Sequence, residues 1–233
     1  MKLRTIAGVL VVTLSSWGGS AEAKDGFKVL YNFNGTPDAS HPFGALLRTK
    51  DESLYGTTFG GGTVSEGTVF RLAPDGTESV LHSFTGGASD GAEPLAELIT
   101  DDAGNLYGTT QVGGSNDTGA VFKIASNGTE SVLHFFTDKP DGAILSAGLL
   151  LGHDGHLFGG TVVGGKSQLG TLFQMSTGGA TTILHSFNGS DGVGPSHSLI
   201  SDKAGNLYGT TDTFGDFGHG TVFKFTNKGK LQT

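Results

Sequence analysis

Short apolar stretches, separated by clusters of turn-forming residues, run along the chain from residue 27 to residue 226. Between residues 94 and 136 they are rich in β-branched and aromatic residues, and each has the length of an ordinary strand. The four strands predicted there cover residues 95–100, 105–110, 120–125 and 131–136. The breaks between them, such as Asp102-Ala103-Gly104-Asn105, are typical of tight turns. No ten-residue stretch after residue 23 shows helical periodicity, so the pattern predicts an all-β chain.

The same residues return at a step of about 50 along the sequence. The clearest marker is Leu-Tyr-Gly-Thr-Thr at 54–58, which returns at 106–110 and 207–211, and as Leu-Phe-Gly-Gly-Thr at 157–161. A Val-Phe or Leu-Phe pair keeps the same step, starting at residues 69, 121, 172 and 222. A third marker, Leu-His-Ser-Phe or Leu-His-Phe-Phe, starts at residues 81, 133 and 184, with Leu-Tyr-Asn-Phe at 30–33 as an outlying copy. Three markers in one register indicate a tandem repeat, with units at about 27–79, 80–131, 132–182 and 183–233.

Four strands in each unit of about 50 residues are the pattern of β-propeller blades. The strands carry apolar residues on both faces, as expected where each blade is covered on both sides by its neighbours. A parallel β-helix is the competing repeat fold, but its coils are usually shorter and lack this turn rhythm. We therefore predict a propeller of four blades, each a four-stranded antiparallel sheet, at residues 42–84, 94–136, 144–187 and 195–226.

The two ends of the repeat region predict how the ring closes. The fourth unit reaches Lys228-Gly229-Lys230 where its outermost strand should begin, and an orphan copy of that strand lies at residues 27–33. We predict that residues 27–33 pair beside residues 220–226 and close the ring by the N-terminal strand, without exposed edges. Residues 24–233 then form one domain.

The first 23 residues have the order of a secretory signal peptide. Lys2 and Arg4 give a basic start, residues 6–14 are almost wholly apolar, and Ala21-Glu22-Ala23 is a small-x-small cleavage site. The apolar run is too short to span a bilayer as a helix. The sequence therefore predicts a chain that is secreted, periplasmic or at the cell surface, beginning near Lys24 and without a membrane span. An uncleaved membrane anchor is the alternative.

Charge and composition exclude several kinds of partner. The net charge is −8, and loss of the leader makes the chain one unit more acidic, so binding to nucleic acid or to an anionic membrane is not expected. There is no cysteine, so stability rests on packing and hydrogen bonds. The one tryptophan, Trp17, lies in the leader, which removes the strongest stacking surface for a sugar ring. The 41 glycines among 233 residues are a far larger share than the usual ~7%. The repeats show that many of them lie at turns.

Taken together, the repeated N-L-Y-G-T-T, a glycine pair, G-T-V-F-K, V-L-H-S-F and an Asp-Gly loop resemble the GloVer (Gloeo/Verruco) tandem repeat. The resemblance covers residues 27–226, and the motifs are specific as a set. It implies an exported bacterial protein with a repeat architecture. It implies no chemistry, because the family has no established activity.

The long loops are expected on one face of the propeller, where function usually lies. An aspartate recurs in one kind of loop, as Asp38, Asp90, Asp141 and Asp191. These carboxylates form either a ring that binds calcium or a basic ligand group, or separate caps of their own turns. The second interpretation is favoured because no loop has closely spaced oxygen ligands.

Departures from the repeat symmetry single out Glu97 and His197 on innermost strands, where equivalent positions hold Ala, Gly or Ser. A charged group placed there must be solvated or paired. The two occupy adjacent positions of the repeat and point to opposite sides, so a shared acid-base pair is not expected. The recurring His82, His134 and His185 lie far apart on outermost strands, and we predict packing and hydrogen bonding for them rather than a shared metal.

These features favour an extracellular binding module whose long-loop face takes a protein or a saccharide. Phe43, Phe59 and Phe214 offer stacking surfaces there, and His41 is a further asymmetric loop residue. A propeller-type enzyme, lyase or glycoside-active, and a purely structural surface repeat are the alternatives. No catalytic residue and no cofactor other than calcium is predicted, because the sequence contains no phosphate loop and no zinc-binding H-E-x-x-H.

Overall fold

The computed structural model describes residues 28–233, so the predicted leader and Phe27 lie outside the described residues. The chain divides into two compact segments, Met1–Asn32 and Phe33–Thr233. In the first segment residues 28–32 are described, and they belong to no strand. Among residues 28–233, no helix has the length and apolar character needed to cross a bilayer.

Four antiparallel sheets of four strands follow one another along the segment Phe33–Thr233, and strands are numbered here in chain order. Sheet 1 consists of β2 (Leu47–Arg48), β3 (Leu54–Thr58), β5 (Thr68–Leu72) and β6 (Glu78–Ser83). Sheet 2 consists of β8 (Ile99–Thr100), β9 (Leu106–Thr110), β11 (Ala120–Ile124) and β12 (Glu130–Phe135). Sheet 3 consists of β13 (Leu150–Leu151), β14 (Leu157–Thr161), β15 (Thr171–Met175) and β16 (Thr181–Ser186). Sheet 4 consists of β17 (Ile200–Ser201), β18 (Leu207–Thr211), β19 (Thr221–Phe225) and β20 (Leu231–Gln232).

The long loops carry two short ladders of their own. One joins β1 (Ala39–Ser40) to β4 (Gly60–Gly61), and the other joins β7 (Gly91–Ala92) to β10 (Val112–Gly113). A 3₁₀ turn at Gly87–Ser89 is the only helical element in the described residues. The prediction of an all-β fold of antiparallel sheets is confirmed.

The innermost strands are shorter than the sequence predicts, since β8 covers Ile99–Thr100 where residues 95–100 were expected. A backbone carbonyl group before β8, and its equivalent before β13, accepts a hydrogen bond from a threonine of the preceding sheet instead. The Thr57 hydroxyl donates to the Ala96 carbonyl at 2.8 Å, and the Thr109 hydroxyl donates to the Ala147 carbonyl at 3.0 Å. These bonds replace ladder bonds and join sheet 1 to sheet 2 and sheet 2 to sheet 3.

The repeated Leu-Tyr-Gly-Thr-Thr places each of its residues in a different role, as the copy in sheet 2 shows. Leu106 and Tyr107 are buried between sheets. Gly108 lies under an aromatic ring: a Cβ there would lie 2.5 Å from Cζ of Phe122, so only glycine fits without a shift. Thr109 bonds to the next sheet, and Thr110 donates to the Val112 carbonyl in the following loop at 3.0 Å.

The hydrophobic core consists of three clusters, each between two successive sheets. Phenylalanine rings meet at the centre of each cluster. The ring centroids are 5.0 Å apart for Phe84–Phe122, 5.1 Å for Phe136–Phe173 and 5.5 Å for Phe187–Phe223. A phenylalanine at the end of the outermost strand therefore packs on the third strand of the next sheet, which explains why the V-L-H-S-F and V-F markers share one register.

The predicted closure by the N-terminal strand requires a correction. The outermost strand of sheet 4 is β20, which pairs Lys224 with Gln232 and Phe225 with Leu231. The turn before it is closed by backbone hydrogen bonds between Thr226 and Lys230, so the unit does not stop short of this strand. Residues 28–33 belong to no strand, and a closed ring of four blades is not confirmed.

Candidate functional site

Each recurring histidine hydrogen-bonds to the recurring aspartate of the loop that follows it. The Nε2–Oδ2 distances are 3.3 Å for His82–Asp90, 2.8 Å for His134–Asp141 and 2.8 Å for His185–Asp191. Each histidine ring also contacts, edge to face, the phenylalanine two residues further on, with centroids 4.6 to 4.9 Å apart. The pairs hold the start of each long loop against the outermost strand.

The same carboxylates accept hydrogen bonds from their own loops. Asp90 accepts from the backbone N–H groups of Thr85 (2.8 Å) and Gly91 (2.7 Å), and Asp38 accepts from those of Asn34 and Ala39. Burial acts to raise the pKa of Asp90, but the hydrogen bonds from His82 and the loop outweigh it, and the pKa is lowered. The recurring carboxylates thus accept hydrogen bonds that organise their own turns.

One of the pairs has a third ionisable neighbour. The ligand atoms of His82, Asp90 and Glu130 all lie within 4.8 Å of one another, and within residues 28–233 no other group of this kind occurs. Glu130 is the first residue of β12, and its Oε1 is buried without a hydrogen-bond partner among the described residues. Two carboxylates and an imidazole suit zinc better than calcium, because calcium takes oxygen ligands. Sequence reasoning missed Glu130, although Glu78 at the equivalent position of sheet 1 was a visible signal.

Replacing Glu130 by Gln will stabilise the protein at neutral pH. Burial raises the pKa of Glu130; His82 opposes the rise and the Asp90 carboxylate adds to it. A carboxyl group whose pKa is raised by folding contributes stability below its unfolded pKa, and this is lost as the pH rises through the folded pKa. Because Glu130 is only half-buried and solvent screens part of the effect, we expect the Tm of Glu130→Gln at pH 7 to exceed that of the wild type by no more than about 2–4 °C, a gain of at most about 1 kcal/mol.

Thermal melts at several pH values check this. The difference should vanish below about pH 4, where a glutamate is protonated in both states. Glu52→Gln is the control, because Glu52 is exposed and its ion pair with Arg48 lies on the surface. A Glu130→Gln variant that melts at or below the wild type at pH 7 contradicts the prediction. A rise on adding calcium or zinc that occurs only in the wild type would indicate a cation at this group.

Glu97 and His197 are not brought together. Glu97 accepts a hydrogen bond from the hydroxyl of Ser198, which occupies the equivalent position of the repeat two sheets further on. His197 is 69% exposed and lies 3.7 Å from Asp212, between Nδ1 and Oδ1. Within residues 28–233 no hydrogen bond or ion pair joins the two, so the geometry provides no shared acid-base site.

A cleft of about 710 Å³ lies among the long loops of sheet 1. Its walls are the rings of Phe43 and Phe59, which meet edge to face with centroids 6.1 Å apart. Phe43 is 67% exposed, so its ring is available to a ligand. Polar groups stand at the rim, where His41 Nδ1 lies 3.2 Å from the Ser40 hydroxyl. The cleft therefore combines a flat apolar surface with hydrogen-bonding groups, as ligand sites usually do.

This cleft has no copy in the other units. The position of Phe43 holds Leu95, Ser146 and Ser196 in units two to four, and that of Phe59 holds Gln111, Val162 and Asp212. The backbone φ of His41 is 58°, which is close to the values at the equivalent Glu93 (55°) and Ile144 (61°), so what differs between the units is the side chain. The sequence indicated each of the three residues separately, and the structure brings them to one cleft.

A second cavity, of about 570 Å³, lies between sheets 3 and 4 beside the short turns. Its floor is apolar and includes Phe158, Leu207 and Phe225, and Lys203 and Asp154 are among its lining residues. Much of its wall is turn backbone of the kind that every unit contains. The cavity has no pair of exposed aromatic rings, so the cleft at Phe43 and Phe59 is the better candidate site.

Comparison with known proteins supports the architecture and leaves the chemistry open. The model of the Gloeobacter/Verrucomicrobia repeat matches residues 19–223. No curated protein matches the sequence significantly. A gluconolactonase from Xanthomonas campestris is 17% identical over 80% of this chain and 59% of its own, with a TM-score of 0.53. A streptogramin B lyase is 16% identical over 86% of this chain and 56% of its own, with a TM-score of 0.54. At such identities the likeness concerns the propeller-like fold alone, and the chain spans less than two thirds of the length of these structures.

Proposed function

The chain belongs to the Gloeobacter/Verrucomicrobia repeat family, and from this premise we propose that it is an exported binding module that takes a neutral saccharide in the Phe43–Phe59 cleft. The leader pattern at residues 1–23 supports export. The observation that carries the ligand class is the pair of phenylalanine rings in one cleft, with Phe43 67% exposed.

Aromatic rings and hydroxyl groups match the two kinds of surface on a sugar. The face of a sugar ring that carries its C–H groups is apolar, and packing it on Phe43 buries apolar area from both partners. The edge of the ring carries hydroxyl groups, and His41 with the hydroxyl groups of Ser40 and Thr36 can exchange hydrogen bonds with them. The net charge of −8 disfavours an acidic saccharide, so a neutral one is the better fit.

The loops on either side of the cleft are held in place, which reduces the entropy that binding costs. The backbone N–H of Phe59 donates to the His41 carbonyl at 3.0 Å, and the β1–β4 ladder ties the two loops together. The Thr36 and Ser65 hydroxyl groups lie 3.0 Å apart across the mouth of the cleft. The site is therefore built on two connected loops.

Replacing Phe43 by Ala will weaken saccharide binding about tenfold, the equivalent of about 1.4 kcal/mol. The purified protein is first screened on an array of neutral oligosaccharides, and the strongest binder is then titrated calorimetrically against the variants. Phe59→Ala should behave as Phe43→Ala does. Phe217→Ala is the control, because Phe217 is 89% exposed and lies outside the cleft.

The outcomes separate the three classes of function. Saturable binding that Phe43→Ala weakens and Phe217→Ala leaves intact supports the proposal. Saturable binding that neither substitution changes means that the ligand binds elsewhere. The absence of any saturable binding supports a purely structural repeat. A propeller-type enzyme has no observation in its favour among residues 28–233, since Glu97 and His197 do not meet.

A further inference from the structure

Successive sheets contact each other through the same two surfaces. We call the side of a sheet that packs on the next sheet its forward face, and the opposite side its rear face. Between sheets 1 and 2, the forward face contributes Val69 and Phe84, and the rear face contributes Leu98 and Phe122. The other two contacts repeat this arrangement with the corresponding residues. The chain therefore uses one pair of complementary surfaces three times.

The forward face of sheet 4 keeps its apolar residues but has no sheet packed on it among the described residues. Val222 is 74% exposed, whereas Val69, Val121 and Leu172 at the equivalent positions are fully buried. Ile200, on the innermost strand of the same sheet, is 67% exposed. Large aliphatic side chains exposed together, at positions that are buried (Val222) or half-buried (Ile200) elsewhere in the repeat, mark a contact surface.

A polar group of the same face is also left without its usual partner. Thr57 and Thr109 donate their hydroxyl groups to the carbonyls of Ala96 and Ala147 in the following sheet. Thr210 is the equivalent residue of sheet 4, and it is exposed. The forward face of sheet 4 thus presents the apolar side chains that the other forward faces use and the hydrogen-bond donor that sheets 1 and 2 use.

The rear face of sheet 1 is open in the complementary way. Leu46 is 54% exposed, whereas Leu98, Leu149 and Leu199 at the equivalent positions are 2–4% exposed. These three leucines are buried by the forward face of the preceding sheet. Leu46 therefore stands where a preceding forward face would cover it.

Phe33 already covers part of the rear face of sheet 1. Its ring lies 4.9 Å from that of Phe70 at an angle of 70°, almost the geometry of Phe84 on Phe122 (5.0 Å and 68°). Phe33 ends the outlying copy of the fourth-strand motif, residues 29–33, in which Val29 is 42% exposed and Leu30 is 54% exposed. Phe33 thus takes the position in front of sheet 1 that the last residue of an outermost strand takes in front of sheet 2.

We propose that the forward face of sheet 4 binds the rear face of sheet 1 in a second copy of this chain, head to tail. Residues 30–33 of the second copy then lie beside the first part of β19, around Val222, and continue the outermost strand of sheet 4 past β20, which pairs with Lys224 and Phe225. The register follows from the other sheets, in which Val69 is opposite His82 and Val121 is opposite His134. By this register, Tyr31 of the second copy lies opposite Val222. A pair of chains that makes this contact twice leaves neither face exposed.

The first test is the mass of the purified protein in solution over a range of concentrations. We expect the wild type to associate, and Val222→Asp and Leu46→Asp each to weaken association by about tenfold or more, because each buries a charge in an apolar contact. Val64→Asp is the matched control, because Val64 is 52% exposed and lies on neither face. A wild type that stays monomeric, or a Val222→Asp variant that associates normally, overturns the proposal.

Mixing the two variants tests the head-to-tail arrangement. Val222→Asp keeps an intact rear face and Leu46→Asp keeps an intact forward face, so the mixture should restore one of the two contacts. Association in the mixture above that of either variant alone supports the proposal. If Val222→Asp blocks association and Leu46→Asp does not, the contact joins two forward faces and the proposal fails.

A disulfide tests the register, and the absence of native cysteine keeps this test clean. Chains carrying Tyr31→Cys are mixed with chains carrying Val222→Cys and oxidised, and a covalent dimer of the two is expected. Tyr31→Cys mixed with Val64→Cys is the control and should remain uncrosslinked. In the doubly substituted chain, a bond formed within one molecule would mean that the ring closes on itself, which overturns the assignment to a second copy.

Discussion

Replacing Phe122 by Ala will lower the free energy of unfolding by about 3–5 kcal/mol, the usual cost of deleting a fully buried aromatic side chain. Phe122 is fully buried between sheets 1 and 2, where its ring meets that of Phe84. It also lies directly against Gly108, which has no side chain of its own to fill the cavity. Since the sheets are joined mainly by such clusters, the loss weakens the contact between two sheets and not only one strand.

Urea unfolding followed by circular dichroism measures the effect. Phe217→Ala is the matched control: the same substitution at a side chain that is 89% exposed should change the free energy by no more than about 0.5 kcal/mol. A Phe122→Ala variant as stable as the control would mean that the packing between sheets 1 and 2 contributes little to stability.

Replacing Asp141 by Ala will lower the free energy of unfolding by about 2–4 kcal/mol, because it removes three hydrogen bonds to a charged, largely buried acceptor. Asp141 accepts from the Thr137 backbone N–H (3.0 Å), the Thr137 hydroxyl (2.7 Å) and His134 Nε2 (2.8 Å). Its side chain is 14% exposed, so water cannot fully replace these bonds. Asp216→Ala, at an exposed aspartate, should have almost no effect.

The pH dependence distinguishes the carboxylate from a merely space-filling side chain. Burial acts to raise the pKa of Asp141, but hydrogen bonds from Thr137 and His134 outweigh it, and the pKa is lowered. A group whose pKa is lowered by folding contributes stability above its unfolded pKa, and this is lost as the pH falls through the folded pKa. The gap in unfolding free energy between the wild type and Asp141→Ala should therefore narrow as the pH falls below about 4. A gap independent of pH would contradict this account.

Local features of the sequence were enough to predict the strands and their grouping. The Leu-Tyr-Gly-Thr-Thr copies predicted β3, β9, β14 and β18, because a strand depends on residue type and on turns a few residues away. The grouping into four-stranded units followed from the spacing of these copies. The prediction that is not confirmed concerns the partner of a segment: residues 28–33 belong to no strand, since a short segment pairs only with an edge that the tertiary fold brings to it.

In the candidate site, too, the sequence showed the individual residues but not their contacts. The histidines and aspartates of the pairs were visible as separate repeats, six to eight residues apart, but their hydrogen bonds depend on how each loop folds back on its strand. Glu130 joins a pair that belongs to the preceding sheet, and Ser198 reaches Glu97 across 101 residues of sequence. The repeat places Glu97 and Ser198 at equivalent positions, but it does not show that their side chains meet, nor that Glu130 approaches His82 and Asp90.

The sequence by itself determined the strands, the turns and the apolar residues of each unit, because these depend on interactions between near neighbours in the chain. The tertiary structure alone decided which side chains meet and which faces stay uncovered. Val69 and Val222 occupy the same place in the repeat, and one is buried while the other is 74% exposed. The physical reason is that the burial of a side chain depends on what packs against its sheet, and the type of the residue does not determine this.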